Sequence, residues 1–183
     1  MTSEGDRALA EREGMTDAQV GAALVDLMPR FFAYVLSFLV IARFWTVHHT
    51  TFRSIGRIDG PMIWLNLIQL MLVAFLPFPT SLLGGHGDVP VSVVFYGAVV
   101  TAISALTALQ WRYVSRHTEL LRAGVGQAAL RHGRIRTATA TGFFALTLPV
   151  ALVAPYVTEA LWVLGYPLVR FALDRRLTSR RQA

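Results

Sequence analysis

Apolar residues run along this chain in long blocks that no charge interrupts. Residues 31–42, 60–87, 89–111, 137–158 and 160–169 contain no Asp, Glu, Lys or Arg. Three of these blocks exceed the ~20 apolar residues that a helix needs to cross a hydrocarbon core. The first block is shorter, but Phe44, Trp45 and Val47 continue it past Arg43, whose long side chain can snorkel to the nearer interface. The last is bounded by Glu159 and Arg170 and interrupted by Gly165 and Pro167. The pattern predicts an all-α, polytopic membrane bundle with spans at about 27–52, 61–84, 90–113, 137–154 and 155–173.

Composition agrees with this reading. Hydrophobic residues make up 54% of the 183 positions and charged residues 15%, whereas ordinary soluble domains carry about 25% charge. A soluble globular domain, a disordered chain and a coiled coil are all disfavoured. The absence of Cys excludes disulfides, thiolate nucleophiles and Cys-ligated metal.

The arginines then set the topology. All 17 basic residues are Arg, and cytoplasmic loops near span ends collect such residues. Arg53 and Arg57 follow the first block. Arg112, Arg116, Arg122, Arg131, Arg134 and Arg136 fall in the expected loop after the third, and Arg170, Arg175, Arg176, Arg180 and Arg181 close the chain. Residues 84–90 and the neighbourhood of Pro155 have none. Both flanks of residues 137–173 are therefore inside, and the stretch must cross an even number of times. As one helix it would measure about 55 Å, so it is expected to fold into a hairpin at Ala154 and Pro155. Five spans follow, with the N-terminus outside and a basic cytoplasmic tail at 174–183. The net charge of +6 belongs to the inner surface and does not indicate nucleic acid as a partner.

Residues 1–26 hold six of the eleven acidic residues and read as an extracytoplasmic segment. No basic n-region leads directly into an apolar h-region, so no signal peptide is recognised there. Thr16-Asp17-Ala18-Gln19 has the capping-box form, followed by Val20, Leu24, Leu27 and Phe31 at helical spacing. The first helix is expected to begin near Asp17, with Pro29 placed to kink its entry into the bilayer.

Several residues invite a chemical reading. His48 and His49 are adjacent, and neighbours on a helix point about 100° apart, whereas chelation on one face needs i, i+4 spacing. Hydrogen bonding to a neighbouring helix is favoured over metal ligation. His86, His117 and His132 lack partners at ligand spacing and read as solvated. Asn66 and Gln69 share a face of the second span; interhelical hydrogen bonding is the first reading and a polar path the second. Pro77 and Pro79 free backbone groups that protein or a water-filled cavity must cover. Gly97, Thr101 and Ala105 form a small-xxx-small stripe suited to close helix packing, with a pore wall as the alternative. The Arg112–Arg136 stretch reads as topogenic charge, with binding of anionic headgroups second. No nucleophile with a base, no carboxylate pair and no metal spacing is present, and Glu159 is the one acidic residue expected within a span. Neither an enzyme nor a cofactor is expected.

Phe38-Leu39-Val40-Ile41-Ala42-Arg43-Phe44-Trp45-Thr46-Val47-His48-His49, then Phe52-Arg53, Trp64-Leu65-Asn66-Leu67 and Leu76-Pro77-Phe78-Pro79-Thr80-Ser81-Leu82-Leu83-Gly84 form a recognisable series. It resembles the bacterial branch of the transmembrane protein 175 family, which comprises lysosomal and endosomal potassium channels and their prokaryotic relatives. The likeness runs more loosely through Phe95-Tyr96-Gly97 and the closing hairpin.

The resemblance implies a six-helix repeat with cytoplasmic ends, assembled as a homotetramer around a pore lined by first helices that carry an Arg-x-x-x-Phe-Ser-Asp signature. That signature is absent from this sequence. The five expected spans correspond to helices two through six, and Trp45, His49 and Asn66 match positions that hold the signature by hydrogen bonding. The expected function is a potassium channel subunit of the cell membrane, incomplete without the pore-lining helix. The alternative is a non-conducting membrane scaffold with the same framework. Potassium, the bilayer and further copies of the chain are the implied partners.

Overall fold

A computed structural model describes residues 17–179. Helix α1 (Asp17–Arg53) is followed by α2 (Gly60–Phe75) and α3 (Pro77–Gly85), which join at Leu76 into one rod, and then by α4 (Pro90–Arg116). Helix α5 (Gln127–Ala151) leads to a final rod made of α6 (Pro155–Ala160), a π-helical turn (Leu161–Gly165) and α7 (Tyr166–Ser179). The all-α expectation is met. Among the described residues, two rods, 60–85 and 90–116, are long and apolar enough to cross a membrane.

Prolines punctuate these rods as their chemistry requires. Pro61, Pro90 and Pro155 stand in the first turns of α2, α4 and α6, where a missing N–H costs nothing. Asp59 caps α2 by accepting the Met62 N–H at 3.1 Å. At the Pro77 break, Thr80 donates its hydroxyl to the Leu76 carbonyl at 2.8 Å. Leu76 and Thr80 are both buried, so protein covers the irregular backbone there. Helix α1 is continuous through Pro29, and Thr16 lies outside the described residues.

Helix α4 is the central element. Its Val93, Tyr96, Val99, Val100 and Ile103 are buried against Leu76 and Leu83 of the second rod and Ala151 of α5. Gly97 permits the approach of the closing hairpin. A Cβ at that position would lie 2.7 Å from both Leu148 Cδ2 and Trp162 Cζ2. The other small residues of the stripe differ: Thr101 returns its hydroxyl to the Gly97 carbonyl at 2.7 Å, while Ala105 is exposed.

The expected hairpin is present. Helix α5 ends at Ala151 and α6 begins at Pro155. The two legs run antiparallel: Trp162 Nε1 donates to Thr147 Oγ1 at 2.8 Å, Phe144 packs on Tyr166 at 5.1 Å between centroids, and Arg136 meets Asp174 at 3.5 Å. One expectation changes. Helix α4 runs to Arg116 and α5 starts at Gln127 behind the extended Gly126, so Arg112, Arg116, Arg131, Arg134 and Arg136 sit on helical turns and only Arg122 lies in the loop. The Ala-Ala-Leu sequence at 128–130 has high helix propensity and extends the rod past its apolar block.

The two ends of the bundle differ in charge. At one end the Arg-bearing connections pair backbone to backbone, with Gly56 N–H donating to Leu120 O at 2.8 Å and Arg122 N–H to Ser54 O at 3.0 Å. A Cβ on Gly56 would come within 3.1 Å of the Arg122 backbone. Asp59 also accepts from the Tyr113 hydroxyl at this end, and that bond is the main reason its carboxyl is held below the usual value. At the opposite end, where residues 84–90 carry no arginine, Gly87 approaches Glu159.

Candidate functional site

Toward the arginine-bearing end, α1, α2 and α4 contribute polar side chains to one layer. On α1, Trp45, His48 and Phe52 recur at helical spacing and stack, with centroid separations of 5.7 Å for Trp45–His48 and 4.3 Å for His48–Phe52. His48 Nε2 lies 2.6 Å from Asn66 Oδ1 on α2. The interhelical role expected for the histidine pair is thus carried by His48, and His49 faces outward.

One helical turn further along α2, Gln69 is buried and donates through Nε2 to Thr107 Oγ1 of α4 at 2.9 Å. Trp111, a turn beyond Thr107, donates through Nε1 to Thr51 Oγ1 of α1 at 3.0 Å. Thr51 in turn donates to the Val47 carbonyl at 2.9 Å. The Trp111 indole lies over Gly133 of α5, where a Cβ would be 2.6 Å from the ring. Three side-chain hydrogen bonds therefore tie α1 to α2, α2 to α4 and α4 to α1. The interhelical bonding expected of Asn66 and Gln69 is observed at both residues.

The layer also contains a residue to which the sequence reading gave no role. Gln110 is fully buried, and neither of its amide atoms, nor Gln69 Oε1, meets a protein partner among the described residues. A buried amide in an apolar surrounding is costly unless paired. Its position is legible in outline: Gln110 follows Thr107 by three residues and so shares its helix face.

Trp45 is 61% exposed despite stacking on His48. Trp64, Leu67 and Met71 of α2 are exposed as well. The polar layer is thus buried on its inner side and flanked by apolar surface outside. Such a surface suits lipid or another apolar helix.

An all-helical bundle with apolar outer faces, two rods of membrane-crossing length and an internal polar layer is the build of an integral membrane protein. Residues 8–77 match the family described as endosomal/lysosomal potassium channel TMEM175. A protein of Streptomyces collinus named as a potassium channel is 34% identical over 136 residues, which are 72% of this chain and 66% of that protein. The human protein named endosomal/lysosomal proton channel TMEM175 is 30% identical over 105 residues, covering 57% of this chain and 21% of that one. The chain belongs to the TMEM175 family. Its fold also matches the crystal structure of a lysosomal potassium-selective channel TMEM175 homologue from Chamaesiphon minutus, with a TM-score of 0.66 and 21% identity over 87% of this chain and 80% of that one.

Proposed function

We propose that this chain is a subunit of a potassium channel in the cell membrane. The supporting observation is its 34% identity, across 136 residues, to a bacterial protein named as a potassium channel. On this reading all five helical rods cross the bilayer. The arginine-bearing end is cytoplasmic, as the excess of Arg in its connections favours.

The polar layer supplies a physical role for the residues that the resemblance points to. Trp45 and Asn66, together with His48 or its neighbour His49, form a surface on which a further helix bearing hydrogen-bonding groups is held. Gln110 and Gln69 Oε1 retain unused hydrogen-bonding capacity in the same layer. In this proposal several copies of the chain surround the conduction path, and that further helix lines it. The site requires no catalytic group or resident cofactor.

Potassium flux from liposomes tests the reading, with this chain and a version extended at its N-terminus assayed side by side. Flux from either form supports a channel subunit. Flux from the extended form alone assigns the pore wall to the added segment. No flux from either form, with both correctly inserted, overturns the proposal in favour of a non-conducting scaffold.

A further inference from the structure

A groove of about 870 Å³ runs between α1, α4, α5 and the last rod; it reaches Thr51, Thr107 and Trp111 of the polar layer but not His48 or Asn66. Its walls are largely apolar and include Val40, Phe44, Val100, Phe144 and Trp162. Arg43, Arg136 and Arg170 line one end, accompanied by Asp174, and Glu159 lines the other.

At the arginine end, the described charges are mostly basic. Asp174 bridges Arg136 at 3.5 Å and Arg170 at 3.9 Å, and among the described residues lining this end of the groove three guanidiniums stand with one carboxylate. Arg43 has no ion pair or hydrogen bond among the described residues, and it lines the groove with Tyr166, Arg136 and Asp174. A guanidinium at the head of an apolar groove is well matched to a phosphate, which it binds in a planar, bidentate fashion. Basic pockets between membrane helices on the cytoplasmic side suit anionic headgroups for this reason.

We infer that this groove binds one anionic phospholipid, with its phosphate at Arg43, Arg136 and Arg170 and an acyl chain along the Val100–Phe144 wall. The arginines set the direction, since they stand toward one end of the groove and Glu159, beside Gly87, stands toward the other. The site differs from topogenic charge spread over the Arg112–Arg136 stretch: it draws its arginines from three separate helices and adds an apolar wall. It rests on the chain being a membrane protein and does not depend on conduction.

The test is lipid retention by the purified full chain, read by native mass spectrometry after exposure to equimolar phosphatidylglycerol and phosphatidylcholine of identical acyl chains. Phosphatidylglycerol is expected to be retained about tenfold over phosphatidylcholine. That preference should disappear in the Arg43→Gln, Arg136→Gln, Arg170→Gln triple variant and persist in Arg112→Gln, Arg116→Gln. Equal retention of the two lipids, or an unchanged preference in the triple variant, overturns the inference. Phosphatidylglycerol with a photoreactive acyl chain, applied to the unmodified protein, keeps the test independent of variant folding. Labels are expected at Val100 and Phe144. Labels confined to the outer face of α2 at Trp64 and Met71, inorganic phosphate displacing the lipid in full, or cross-links showing a second copy in the groove would each contradict it.

Discussion

The histidine pair shows what one side chain contributes. Because neighbouring helix positions diverge, one ring of His48 and His49 can face α2 while the other cannot, and the phase of α1 selects His48. A double-mutant cycle on His48→Ala and Asn66→Ala should return a coupling of about 0.6–1.7 kcal/mol, the range seen for interhelical hydrogen bonds in membranes. The same cycle with His49→Ala should return none. Equal couplings in reversible unfolding would contradict the assignment. The sequence showed that a polar contact belonged here, but α1 is apolar around most of its circumference and offers no stripe from which its phase can be read. At the arginine-bearing end, the Tyr113 hydroxyl, followed by the Met62 N–H, holds the Asp59 carboxyl below its ordinary value despite the opposing effect of desolvation. Asp59 therefore contributes stability that is present above its unfolded pKa and lost as the pH falls through the lower folded value. Tyr113→Phe should move the Asp59 titration upward, as followed by carboxyl NMR. An unmoved titration would show that the hydroxyl is not the cause.

At the scale of elements, helix approach is set by a few small residues and by prolines. Gly97→Leu should destabilise the protein by about 1–3 kcal/mol, because the added side chain enters space held by Leu148 and the rigid Trp162 ring. Ala105→Leu, on an exposed position of the same helix, should be nearly neutral; equal losses in thermal unfolding would refute the packing argument. The stripe at 97, 101 and 105 was legible as a pattern, but which member meets a neighbour depends on where the hairpin crosses α4. The hairpin itself was legible from the arginines at both flanks, for which the sequence pattern predicts a return to the same side. The start of α5 was not, since its first turns are polar and carry no membrane signal, and only local propensity with the Gly126 cap marks them. The hydrogen bonds through Thr107 and Trp111, and the buried, unpartnered amide of Gln110, were likewise hidden. Each of these residues is unremarkable alone, and they become a layer only when α1, α2 and α4 pack together.

For the whole molecule, the separation of arginine from the opposite end unites topology and architecture. The two Arg-bearing connections bond to one another, and the arginine-free residues 84–90 lie beside Glu159 at the other end. The all-α class and the order of the rods could be read from uncharged blocks, because a bilayer demands long apolar helices with satisfied backbones. Family membership supplies the functional direction, and the polar layer gives it a physical seat. The central claim is potassium conduction, and reversal potential in a planar bilayer tests it most directly, using the chain extended at its N-terminus if the shorter form is silent. Under a tenfold potassium gradient at constant pH, the current should reverse near the potassium equilibrium potential, about 59 mV from zero at 25 °C. Reversal at the proton equilibrium potential, or no current from correctly inserted protein, would contradict the account.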